Sequence, residues 1–220
     1  MFSKRIWLIG LLALIHAPLF FVSNFRYSDI VIHHTASSQG DFNTVNRGHL
    51  RKYGGMAYHL LLSNGTGEAP LGHLQSGWRY RSMIFSLATR NKSCNLRAIH
   101  LVVVGNYEDE ALPVNMKVAL TSAIRAIQVR YRIPEDRIRL HRECSATVCP
   151  GKYITVEKVM NWLGSVAGDS DLAFQHQSHL DKAFLGPVPI GPLLVTLPFS
   201  GLVCLITFFR AKRASRLAVS

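Results

Sequence analysis

The chain is short of acid. Its 220 residues carry 13 Asp+Glu against 25 Lys+Arg, a formal net charge of +12, and charged residues make up only 17% of the whole. With 48% hydrophobic residues, so low a charged fraction excludes a polar disordered tail and a coiled coil. No internal repeat is present. The basic surplus suggests an anionic partner (nucleic acid, acidic lipid or cell-wall polymer) and by itself selects none of them. A zinc knuckle, an RNA-binding aromatic pair and a basic helix are all missing, so nucleic acid has no supporting motif.

Charge is absent altogether from two runs, Ile6 to Val22 and Ala183 to Phe209. The first has seventeen residues, which at about 1.5 Å each barely cross a hydrocarbon core of ~30 Å. Residues 1–26 are therefore expected to be an uncleaved signal-anchor, with a cleaved signal peptide as the alternative; no clear A-x-A site follows, and Pro18 comes directly after Ala17. The second run contains Pro187, Pro189, Pro192 and Pro198. Because a helix accepts proline at its start far better than inside, a transmembrane segment over 185–209 is expected to do its spanning near Leu193 to Phe209. A basic tail follows over 210–220, and Lys4 and Arg5 precede the first run. The positive-inside rule puts both basic ends in the cytoplasm and the region between them on the extracytoplasmic side of a cell membrane.

That region, residues 27–163, has 17 basic and 10 acidic residues and length enough for its own core. Residues 164–184 are polar, with little periodicity, and read as a linker. Gly164 is the expected stop of the preceding helix. Asp29 to His34, Tyr58 to Leu62 and Ala98 to Val104 are short β-prone runs. Leu120, Ile124, Ile127 and Tyr131 share one face of a helix that ends before Pro134. Arg137 to Leu140 alternates as a strand, and Thr155 can cap a helix in which Val156, Val159, Met160 and Leu163 share a face. The alternation predicts an α/β domain: a central mixed β-sheet flanked by helices, with hydrophobic membrane segments at both ends.

Metal-binding side chains concentrate at His33-His34 and in His141 to Gly151 (HRECSATVCPG), where His141 and Cys149 are eight apart. Two imidazoles and one thiolate can hold zinc tetrahedrally and leave one position open, as catalytic sites do. Spacing alone is a weak signal, since His-His pairs are common in cores and on surfaces.

The surrounding words are more specific. Residues 30–36 (IVIHHTA), 57–67 (AYHLLLSNGTG), 98–110 (AIHLVVVGNYEDE), 131–134 (YRIP) and 141–151 (HRECSATVCPG) come in an order and at separations that resemble the zinc-dependent N-acetylmuramoyl-L-alanine amidases, a family that includes phage lysozyme-amidases and animal peptidoglycan recognition proteins. The resemblance implies a Zn2+ hydrolase acting on peptidoglycan, with His33, His141 and Cys149 as metal ligands. Adjacent strand residues face opposite sides; the family's His-x-Thr pattern selects His33, which leaves His34 packed or hydrogen-bonded in the core. Tyr58 matches a tyrosine that contacts the reacting centre, and Thr147 a position that assists by hydrogen bonding. Without the resemblance, Tyr58 reads as an aromatic covering the core and Thr147 as a loop hydroxyl satisfying local backbone. The same fold also serves as a non-catalytic peptidoglycan-binding module.

The chain departs from the family in three places. Val102 stands where the cell-wall-recycling branch has a catalytic Glu, Tyr53-Gly54-Gly55-Met56 replaces a usual Gly-Trp, and His100 occupies a common glycine position. Once Cys149 is assigned to metal and Cys204 to the membrane segment, Cys94 and Cys144 remain. They are able to form a disulfide outside the cytoplasm, but two separate buried thiols are the expectation adopted.

Overall fold

The computed structural model describes residues 27–166. The expected membrane segments at 1–26 and 185–209, the basic tail and the linker beyond Val166 lie outside the described residues. Among the described residues no helix is long and apolar enough to cross a membrane.

The order of elements is β1 (Asp29–His34), α1 (Phe42–Tyr53), β2 (Leu60–Leu62), β3 (Leu74–Ser76), α2 (Trp78–Arg81), α3 (Lys92–Arg97), β4 (Ala98–Val103), α4 (Val114–Tyr131), β5 (Ile138–Leu140), α5 (His141–Cys144) and α6 (Val156–Val166). The five strands form one sheet in the order β3-β2-β4-β1-β5. Strand β1 runs parallel to β4 and β5, and β2 runs parallel to β4, while β3 closes the edge antiparallel to β2. The sheet is mixed, as predicted. Every residue of β1 and β4 is buried, Asp29, His33, His34 and His100 included, because parallel strands are covered on both faces.

Period-two alternation sorts these strands into two unlike faces. Ile30, Ile32, Leu60, Leu62, Ile99, Leu101 and Val103 join one large cluster with Met116, Leu120, Ile124 and Ile127 of α4 and Val159 and Leu163 of α6. Each fully buried aliphatic there contributes about 1.5–3 kcal/mol. On the other face, Leu61 and Val102 pack with Met56, Val104 and, at the margin, Phe42 and Val45 of α1. Val31 and Ala98 pack with Cys144.

Local chemistry sets the helix ends. Arg132 adopts the left-handed conformation (φ 55°) just past α4, two residues before Pro134. The Asp41 carboxylate accepts from the Thr44 N–H (2.7 Å) at the start of α1, and Gly54 (φ 70°) closes its other end. Thr155 caps α6 by accepting from the Lys158 N–H at 3.2 Å.

Two expectations need correction. Helix α6 runs through Gly164 to Val166. Nothing lies near an added Cβ at Gly164; an exposed helical glycine costs only about 1 kcal/mol against alanine, and Leu163, buried one residue earlier, holds the turn. Cys94 and Cys144 are not separate thiols. They form a disulfide with Cα atoms 6.2 Å apart, closing 50 residues of chain. Both α3 and α5 lie on the Val31 face of the sheet, where Cys144 and Cys94 pack together against Val31 and Ala98.

Candidate metal centre

Strand alternation puts Val31 and His33 on the face shared with His100 and Val102, and turns His34 toward the α4 side. His33 is near the C-terminal end of β1, beside Val102 of β4. Strand β5 ends at Leu140, and His141 is the next residue, the first of α5. The Glu143 carboxylate accepts the Leu140 N–H at 2.5 Å, which secures the strand-to-helix corner. The loop that follows returns Cys149 to β1, where the His34 N–H donates to Cys149 Sγ at 3.4 Å.

One donor atom each from His33, His141 and Cys149 lies within 4.8 Å of the others. His33 Nδ1 and Cys149 Sγ are 4.0 Å apart, close to the ~3.6 Å that separates nitrogen and sulfur on a tetrahedral zinc. The His33 and His141 rings are 4.4 Å apart between centroids. Cys149 is the free cysteine among the described residues. Two imidazoles and a thiol converging with no acid among them fit zinc. The structure thus brings together the three residues expected from the sequence.

Electrostatics suits ligation. Burial, reinforced by His100 and His141, pushes His33 well below its ordinary value, and burial lowers His141 as well. Both imidazoles are then neutral, the form that binds metal. Burial pushes the Cys149 thiol up to about 11, against the pull of the His34 N–H and the Arg142 charge. Metal binding must therefore displace a proton from it.

The Cys149 loop is held from several sides. The Arg142 guanidinium donates to Ile154 O (3.0 Å) and to Gly151 O, and the Arg142 N–H donates to Cys149 O at 3.0 Å. Gly151 adopts φ +97°, and a Cβ there would sit 2.1 Å from the Tyr107 carbonyl carbon; only glycine fits. Tyr107 in turn donates its N–H to His34 Nδ1 at 3.2 Å. His34 is thus a buried tie between β1 and this loop.

Tyr58 precedes β2, two residues short of its first strand position. Its ring lies 4.9 Å from the His33 ring. Burial raises its phenol far above the ordinary value, so it stays protonated and keeps a proton to donate. Thr147 is exposed, and its hydroxyl accepts the Cys149 N–H at 3.2 Å. The local backbone bond is therefore present, and the hydroxyl proton remains available to donate.

Other residues of the site were not legible. Asn46 and His49 of α1 accept the N–H groups of Met56 and Ala57 (2.8 and 3.2 Å), fixing the approach to Tyr58. The His49 ring lies 5.5 Å from Tyr58. The Trp78 indole covers Gly55, where a Cβ would come within 2.8 Å of it. The Gly54-Gly55 pair is the sequence feature that marks this arrangement. His100 is fully buried and lies 2.9 Å from His33. Burial pushes it down to about 4.

A family profile described as N-acetylmuramoyl-L-alanine amidase matches residues 24–152. No curated protein matches the chain. Among solved structures, the N-acetylmuramoyl-L-alanine amidase LysC from Clostridium intestinale superposes with a TM-score of 0.54 at 22% identity, over 64% of this chain and 88% of that one. The peptidoglycan recognition protein PGRP-SA of bumblebee superposes with a TM-score of 0.51 at 19% identity, over 64% of this chain and 83% of that one. These likenesses show a shared fold. The family profile covers more than half of the chain, including all three converging donors, and the chain belongs to the N-acetylmuramoyl-L-alanine amidase family.

Proposed function

We propose that this protein is a zinc-dependent amidase that hydrolyses the bond between the lactyl group of N-acetylmuramic acid and L-alanine in peptidoglycan. The observation that carries the reading is the complete donor set, His33, His141 and Cys149, within 4.8 Å. When bound, zinc supplies a Lewis acid that polarises the amide carbonyl and acidifies water toward neutrality. The chain's own residues do the rest. His33 and His141 are held neutral by burial. The His34 N–H and Arg142 favour the Cys149 thiolate. Tyr58, held protonated, donates a hydrogen bond to the oxyanion that develops on the amide oxygen. Thr147 assists as a hydrogen-bonding group; a threonine is a poor general base. Val102, fully buried beside His33, offers no carboxylate for a recycling-type acid–base step.

A second reading, a membrane-anchored peptidoglycan-binding module without turnover, is suggested by the fold shared with bumblebee PGRP-SA. Detergent-solubilised full chain, loaded with zinc, separates the two. The amidase releases stem peptides from muropeptides, stops with a chelator and recovers with zinc, and Cys149→Ser abolishes release while leaving wall binding. Release that continues at full rate without metal overturns the zinc reading. Wall binding with no release by the loaded wild type selects the binding module.

We further propose that segments at both ends hold the domain on the extracytoplasmic side of a membrane. The Cys94–Cys144 disulfide supports this, since such bonds persist in oxidising compartments. A reporter active only outside the cytoplasm, fused after Gly168, should be active, and one fused after Ser220 silent.

A further inference from the structure

His33 carries a hydrogen bond on the side away from Cys149. Its Nε2 lies 2.9 Å from His100 Nδ1, and His100 Nε2 lies 3.1 Å from the Cys94 carbonyl oxygen. A carbonyl oxygen only accepts, so His100 Nε2 bears a proton. His100 is fully buried, and an imidazole out of water with no carboxylate partner is neutral. Its Nδ1 then holds a lone pair and accepts from His33 Nε2–H. His33, neutral in turn, is left with its lone pair on Nδ1, the atom 4.0 Å from Cys149 Sγ. The backbone of His100 is also pinned, its N–H donating to His59 Nδ1 at 3.0 Å. Directions along the whole chain follow from one carbonyl.

We propose that His100 is the positioning residue that fixes the tautomer and ring orientation of His33 and so presets Nδ1 as a metal donor. The relay closes on itself. Cys94, whose carbonyl starts it, is bonded through sulfur to Cys144 at the end of α5, the helix whose first residue is His141. The far end of the relay is thus covalently tied to the element that presents the second donor. Losing such a partner typically weakens metal binding 10–100-fold. The inference rests on the zinc reading for its consequence, and on the hydrogen bonds alone for the tautomer.

The test uses full-length protein and no turnover. Zinc affinity of the apo protein is measured by competition with a chelator for wild type, His100→Leu and His100→Asn. Leucine fills the space without accepting; asparagine offers Oδ1 at about the place of Nδ1. We expect His100→Leu to bind zinc about 10–100-fold more weakly and His100→Asn to recover most of the loss. An unchanged affinity in His100→Leu, or an equal loss in both variants, overturns the proposal. Nitrogen-15 NMR of wild-type apo protein gives a reading independent of how the variants fold. His33 should show a proton on Nε2 and none on Nδ1, and the reverse pattern overturns the relay. The expected tautomer in a wild type that binds no zinc upholds the relay and sinks the zinc reading.

Discussion

On one face of the sheet, Ile30, Ile32, Ile99, Leu101 and Val103 meet two helices of 18 and 11 residues. On the other, His33, His100 and Val102 meet three helices of 12, 6 and 4 residues and a disulfide. The first face is held by area, which any aliphatic of suitable volume supplies. The second has too little apolar surface for that. It is held by directional contacts, among them the His33–His100 bond, the loop clasped by Arg142 and the cross-link between α3 and α5. Stability and chemistry are thus divided between two sides of the same strands, residue by alternate residue.

Removing each kind of support should break the comparison differently. Reducing the Cys94–Cys144 bond, which closes 50 residues, should cost about 4 kcal/mol by loop entropy, read as the fall in unfolding free energy with and without reductant. An unchanged denaturation midpoint would show that the short helices hold this face unaided. Tyr58→Phe should slow release of stem peptide about 10²–10³-fold while leaving zinc affinity as it was. A loss of zinc instead would make the ring a wall of the metal site and nothing more. On the packing face, Ile124→Ala should cost about 2–5 kcal/mol, and the molecules that remain folded should bind one zinc each as before. Loss of metal from folded Ile124→Ala would deny the division between the faces.

The smallest effect concerns α1. Asp41→Ala should cost about 1 kcal/mol as a lost cap. The Thr44 N–H, the larger cause, holds the Asp41 carboxyl below its ordinary value. A carboxylate whose folded pKa is lowered stabilises the fold above its unfolded value of about 4 and loses that contribution as pH falls through the folded value. The gap between wild type and Asp41→Ala in thermal unfolding should therefore be full at pH 7 and shrink below about pH 4. A gap independent of pH would mean that the side chain caps without its charge.

The packing face was legible in the sequence because its signal is repetition. Leu120, Ile124 and Ile127 recur at helical spacing, and Ala98 to Val103 is apolar at every position but His100, so α4 and β4 could be read directly. The site face was legible only where family words marked it, at His33, Tyr58, His141, Thr147 and Cys149. Helix α1 has no fully buried residue, so it shows no apolar stripe to find. Strand β3 has three residues, too few for alternation to register. The pairing of His100 with His33 depends on the register Val31↔His100, and the disulfide on both neighbours of β1. Neither register is written in any local stretch of sequence.

The order of the strands also governs when the donors can meet. Strand β1 comes first along the described chain yet lies between β4 and β5, pairing Ile30 with Ile99 and with Ile138. His33 and Cys149 are separated by 116 positions. Contacts this distant in sequence form late, because the closure entropy of the intervening chain is lost before they return any stabilisation. During synthesis β1 must wait, unpaired, for β4 to emerge, and its His33 must wait longer still for His141 and Cys149. Metal capture is therefore a report on the whole fold rather than on any one loop, and a chain interrupted anywhere before Cys149 cannot assemble the three-donor site.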